Sequence, residues 1–227
     1  MAWGMVAPAG AGDFFPEGDY VGWEEALKDF CDTKMSDAER AAMGIQDGIP
    51  YSQFAAKFDD DLGPLAPHEQ PLEFRIPRRY KSLASMIELV SRLIAVDEPL
   101  KNIIESLEPG VHQFWPIRIT MPKDEVYPTQ YYGLVIRQFF DSFSPDQSSQ
   151  GSWSLYEGRN GYRRYSAMNE TKTGFSQLAM NSNVFGSAHL WRERFLSRPN
   201  IIFSDALQAK IAEAGLRIPK HLKLKAI

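Results

Sequence analysis

The sequence predicts an α+β fold, a mixed and mainly antiparallel sheet packed against helices, with a helical extension at the N-terminus. Three observations carry that prediction. Over Ile104 to Pro116, IESLEPGVHQFWP, an amphipathic helical pattern ends in a Pro-Gly turn and passes into an aromatic strand. In Asn200 to Leu216, NIIFSDALQAKIAEAGL, a short apolar strand, a serine and a second amphipathic stretch follow one another. Two aromatic and β-branched stretches, Val111 to Met121 and Tyr131 to Phe143, have the content of half-buried strands.

Taken in chain order, residues 1–73 form an extension punctuated by Gly, Pro and Asp, and residues 74–227 form one compact α+β domain. Trp23, Ala26, Leu27 and Phe30 recur at three- and four-residue spacing and so share a helix face. Ser36 followed by Glu39 fits a capping box, in which hydroxyl and carboxylate satisfy free amides of a first turn. The run Asp59, Asp60 and Asp61 reads as a solvated loop, because a calcium loop needs alternating ligands, a central Gly and a distal Glu. Leu93 to Val96 is a short buried strand, and Asp97 stands at the N-cap of a helix carrying Leu100, Ile103, Ile104 and Leu107. Pro99 suits its first turn. Neither aromatic strand carries the Asn-Gly or Asp-Gly signal of a tight hairpin, so longer connections are expected. Ser144 to Gly161, rich in Ser, Gln, Asn and Gly, reads as an exposed loop. Near the C-terminus Ile201 to Phe203 form a strand, Ser204 caps the helix of Leu207, Ile211 and Ala214, and Gly215 stops it. KHLKLKAI fits an edge strand whose lysines discourage further pairing.

Composition narrows the function classes. The chain has 227 residues, 44% hydrophobic and 24% charged, which is the balance of a globular protein with a real core. A net charge of -4 gives no general electrostatic case for nucleic acid. Arg78, Arg79 and Lys81 flank Tyr80, and Arg159, Arg163 and Arg164 surround Tyr162 and Tyr165, but both clusters read better as solvated residues balancing nearby acids. The only cysteine, Cys31, makes no internal disulfide, and no apolar run reaches the length of a membrane span. The expected location is cytoplasmic, without membrane association.

Chemistry is sparse. No GxSxG, phosphate loop, HExxH or GxGxxG is present, and His68, His112, His189 and His221 lie too far apart in sequence for a chelating pair. No metal, cofactor or catalytic residue is therefore assigned. Ser187, His189 and Asp205, or Cys31, His112 and Glu108, are combinations that any chain of this size offers. His112 and His189 sit beside Phe114 and Trp115 and beside Leu190 and Trp191, a setting that favours a half-buried, hydrogen-bonded ring over a general base.

IESLEPGVHQFWPI, the YYGLVIRQFFDSF strand, GSAHLWR and IIFSDALQAKIAEAGL together resemble the eleventh immunity-protein family of bacterial polymorphic toxin systems, over roughly Pro77 to Leu216. The resemblance extends residue by residue to Glu108, Pro109, Gly110, His112, Gln113, Phe114, His189, Leu190 and Trp191, and it implies fold-building positions with no catalytic set. The exit from the last helix, Arg217-Ile218-Pro219, departs from the family pattern. The implied function is to bind a cognate protein toxin and occlude its active site, with the oligomeric state left open. Acidic residues suit a cationic toxin cleft, and Asp59, Asp60, Asp61 and Glu157 are the candidates for that face. The competing class is a hydrolase or nucleic-acid-modifying enzyme using His112 or His189. A third reading is an interaction domain without a toxin.

Overall fold

The computed structural model describes residues 1–42, 51–157 and 163–227. They form an α+β fold divided into two compact units of interleaved segments. One unit is built from Ala11–Glu98 and Gln113–Val135, the other from Met1–Gly10, Pro99–His112 and Ile136–Ile227. The cut drawn at residue 73 falls inside the first of these.

In the unit of 11–98 and 113–135, a sheet runs in the order Asp19–Tyr20, Glu73–Arg75, Gln113–Met121, Tyr131–Val135, Ile94–Asp97, Met86–Glu88, with Glu125–Val126 added beside Gln113–Met121. Pairing is antiparallel except between Glu73–Arg75 and Gln113–Met121. Pro116 is tolerated inside the long strand because the ladder to Glu73–Arg75 begins only at Arg118, which leaves one edge there without demand for an amide. Gly133 faces Trp115 so closely that an added Cβ would lie 2.3 Å from the indole ring, and the ring's Nε1–H donates to the Pro71 carbonyl at 2.8 Å. The helix Trp23–Thr33 buries Trp23 and Leu27 of the expected face together with Cys31, while Phe30 is half-buried and Ala26 exposed; the three buried residues join Phe54, Phe58, Phe74, Ile76, Trp115 and Ile117 in one core. Residues before 73 thus supply much of this unit's interior. The capping box forms: Ser36 N–H and Oγ–H donate to Glu39 at 2.8 and 2.7 Å, and Glu39 N–H donates back to Ser36 Oγ at 3.3 Å.

The other unit holds a five-stranded sheet in the order His221–Lys223, Ala2–Met5, Ile201–Ser204, Leu190–Glu193, Phe139–Phe140. The C-terminal lysine segment does form an edge strand, and the N-terminal residues, read as punctuation, pair with strands on both sides. Ser204 caps the helix Asp205–Glu213 by accepting from Leu207 N–H, Leu207 and Ile211 are buried beneath it, and Gly215 follows with φ 64°. A core of Trp191, Ile202, Phe175, Phe185 and Met180 lies in this unit, with Trp191 stacked on Phe185 at 4.7 Å.

Two expectations, for the second aromatic strand and for the loop after Ser144, are corrected. The strand expected over Tyr131 to Phe143 ends at Val135, and only Phe139–Phe140 and Phe143–Ser144 resume β pairing. Side chains, not a ladder, hold the break: the Arg137 amide donates to His112, and the Gln138 amide group donates to Glu108 and to the Leu190 carbonyl. The two aromatic strands are joined, as expected, by a long link over 122–130, and inside it Lys123 and Asp124, at φ 70° and 57°, make a tight turn into Glu125–Val126 although neither is Gly or Asn. The loop expected over Ser144 to Gly161 contains the strand Trp153–Glu157, which pairs with Arg163–Ala167. Gly158 to Gly161, with Arg159, and Tyr162 lie outside the described residues.

Candidate functional site

The family-like residues converge on one carboxylate. The helix Glu98–Leu107 runs out at Glu108, whose N–H still reaches the Ile104 carbonyl at 2.9 Å. Pro109 and Gly110 then turn the chain. Gly110 has φ 71°, and Val111 N–H donates to the Glu108 carbonyl at 3.3 Å, the Pro-then-Gly pattern of a type II turn, which needs a positive φ at its third residue. The turn leaves the Glu108 side chain 7% exposed.

Four donors meet it there. Oε1 accepts from Gln138 Nε2 at 2.6 Å and from the His189 amide at 2.7 Å. Oε2 lies 2.9 Å from His112 Nε2 and accepts from the Leu190 amide at 3.0 Å. Arg137 N–H donates to His112 Nδ1 at 3.2 Å, which assigns the ring proton to Nε2 and makes the ring donor to Glu108. Burial pushes the Glu108 carboxyl upward, but the hydrogen bonds from His112, the His189 amide and Gln138 outweigh it and hold the group below its ordinary value. The network continues outward, since His189 Nδ1 and Ser204 Oγ are 2.8 Å apart and Ser204 N–H donates to the His189 carbonyl at 2.9 Å.

This arrangement is a closed clamp. The carboxylate's acceptor capacity is filled, the His112 side chain has no exposed surface, and both its nitrogens are engaged. A general base needs a reachable lone pair, and His112 presents none here. His189 is half-buried and tied to the cap of the last helix. The combination Ser187, His189 and Asp205 is not assembled by any hydrogen bond of these side chains to one another, for Asp205 accepts from Trp3 Nε1 at 2.7 Å. Cys31 is buried in the core of the other unit. Among the described residues no group of three or more His, Cys, Asp or Glu is placed to hold a metal ion, and no helix is long and apolar enough to cross a membrane.

The remaining sequence-predicted residues fall elsewhere. Gln113 clips residue 65, accepting from the Leu65 amide and donating to its carbonyl, both at 2.8 Å. Phe114 is half-buried beside it on the same strand, while Leu190 and Trp191 are fully buried. Asp59 pairs with Arg92 at 3.0 Å, Asp60 and Asp61 are exposed, and Glu157 pairs with Arg163 at 3.0 Å on its ribbon. Arg78 meets Glu17 at 3.6 Å and Arg79 is ion-paired with Glu125, so those cations are locally balanced. Sequence reasoning missed Gln138 and the His189–Ser204 link, because a glutamine within an aromatic run gives no signal of its side chain's direction.

Another buried carboxyl, Glu193, carried no sequence signal. Glu193, 2% exposed, accepts from Ser142 N–H at 2.9 Å and Ser142 Oγ–H at 2.6 Å. Burial dominates over those bonds and pushes it up to about 7.

A family model described as "Immunity protein family (Imm11)" matches residues 30–221, a span that includes every member of the Glu108 clamp. No curated protein matches the chain.

Proposed function

The chain belongs to the Imm11 immunity protein family, and from that premise we propose that it neutralises a cognate protein toxin by binding it and covering its active site, inside the cell that must be protected. The observation that carries this reading is the match over 30–221, which takes in both units. The clamp supports it, since its Glu and His groups are consumed in holding helix, turn and strand together and leave a preformed surface. A rigid surface is what a binding inhibitor needs, with roughly 800 Å² contributed per partner in a standard interface. The exposed acids Asp60, Asp61 and Glu157 suit a cationic toxin surface, where they would speed encounter. Co-expression with a candidate toxin encoded by a neighbouring gene tests the proposal: growth is expected to be restored and the two proteins to co-purify. Failure of the chain to restore growth against every such toxin would refute it.

A further inference from the structure

Two hollows in the unit of 11–98 and 113–135 meet at the two-residue strand Asp19–Tyr20, the end strand of its sheet. The first, of about 630 Å³, is walled by Trp23, Tyr51, Ala55 and Val90 and is also lined by Asp19, Glu24 and Glu25. None of the described residues lining it is basic. Glu24 and Glu25 are exposed in the first turn of the helix Trp23–Thr33, where unsatisfied amides favour carboxylates over any other charge. The second hollow, of about 590 Å³, is lined by Gly18, Ile76, Pro77 and Pro122 together with Arg75. Arg75 is held by Asp124 at 3.1 Å and Glu73 at 3.6 Å, so it adds no uncompensated positive charge. Asp19, Tyr20 and Val21 belong to both hollows and form the rib between them.

The edge itself is closed to strand addition. Val21 N–H points inward to the Glu73 carbonyl at 3.1 Å, and by alternation the Tyr20 amide points outward, where it donates to Asp19's own carboxylate at 2.8 Å. Recognition there falls to side chains. At the far wall Arg92 pairs with Asp59, and Glu88 and Asp60 also hold its guanidinium protonated, so acids balance this cation beside Val90 and Ser91, as Asp32 balances Lys28 near Tyr51.

We propose that this double hollow receives an extended segment of the toxin, which places a Lys or Arg side chain among Asp19, Glu24 and Glu25 and an apolar side chain against Ile76, Pro77 and Pro122. The inference rests on the function proposed above and names where the partner docks. Charge complementarity argues for a basic residue, because carboxylates set in aromatic and aliphatic walls focus the field on whatever enters. The apolar neighbour argues for a protein segment over a free cation, since Val21 and Val90 are 38% and 37% exposed at the mouth and are left in water without it.

The test uses the full chain and a toxin that it neutralises. Calorimetric affinity is compared for wild type, Glu24→Gln/Glu25→Gln, Val21→Lys and, on the last helix, in the other unit, Glu213→Gln. The double neutralisation is expected to weaken binding at least tenfold and flatten its salt dependence, Val21→Lys at least a hundredfold, and Glu213→Gln less than twofold. Amide exchange of the wild-type complex supplies a readout that needs no variant to fold, with protection expected over 19–25 and 90–91. Binding within twofold of wild type by both hollow variants, or toxin protection elsewhere, overturns the docking site while leaving the proposed function standing. Protection of 19–25 by free arginine alone, with the toxin footprint elsewhere, makes the hollow a small-molecule site and likewise overturns it. If the wild-type chain neutralises no toxin, both proposals fall together.

Discussion

Glu108 accepts from four donors on four different residues, so its removal takes a partner at once from the His112 ring, from the Gln138 amide group and from the backbone amides of His189 and Leu190. Each unsatisfied buried donor costs about 1–3 kcal/mol, and breaking a buried charged network commonly costs about 3–5 kcal/mol. Glu108→Ala is expected to lower unfolding stability by about that latter amount, measured by urea denaturation; a loss below about 1 kcal/mol would deny the clamp its structural role. Glu193 gives the opposite kind of signal. Its proton is bound more tightly in the folded chain than in the unfolded one, so its contribution is complete below its ordinary value of 4.5 and is lost as pH rises through about 7. Over that window wild type is expected to lose on the order of 3 kcal/mol that Glu193→Gln, neutral throughout, retains. Parallel thermal melts at pH 5 and pH 8 check this, and equal pH slopes for the two proteins would contradict it. Of these two carboxyls only Glu108 was legible in the sequence, through its Leu-Glu-Pro-Gly setting. Glu193 lies in a run of charged residues, and nothing local tells a carboxyl turned inward from one turned to solvent.

Elements whose signal is local came out as read. The Ser36–Glu39 box, the Ser204 cap and, of the stripe Leu207, Ile211 and Ala214, its first two members depend on residues three or four apart, a spacing that a sequence prints directly; Ala214 is exposed at the helix's C-cap. Asp97, buried, ends the strand Ile94–Asp97 and stands directly before the helix Glu98–Leu107, the position that Ser204 holds before Asp205–Glu213. The turn at Lys123–Asp124 was hidden, because both residues adopt a left-handed backbone that Gly or Asn normally signals. The exposed Lys123 carries that conformation at a cost of roughly 1 kcal/mol. Lys123→Gly is therefore expected to stabilise the protein by up to about 1 kcal/mol, offset in part by glycine's greater freedom when unfolded, and Lys123→Val to destabilise it. Denaturant midpoints of the two variants should move in opposite directions; a common shift would mean that the turn relaxes freely. The two-residue strands Phe139–Phe140 and Phe143–Ser144 left no readable period, since alternation needs more than one repeat to be seen.

At the scale of the molecule, the α+β class was legible and the interleaving of segments was not. Residues 2–5 find their partners at 201–204 and 221–223, and such pairings are fixed by long-range packing and not by any pattern near the N-terminus. The same is true of the double hollow, whose walls come from residues near 20, 51, 76, 90 and 122. Asp59, Asp60 and Asp61 were legible as an acidic run, but the turn of Asp59 to Arg92 was not. A protein that acts by covering another differs from one that transforms a substrate in a way that stoichiometry exposes. Purified toxin of fixed concentration, titrated with the purified chain while the toxin's own activity is followed, gives the most direct measurement. Inhibition is predicted to rise linearly and reach completion at a fixed, near-equimolar ratio, with active toxin recovered when the complex is dissociated. Complete inactivation by a small fraction of an equivalent, with no activity recovered afterwards, would contradict binding as the mechanism.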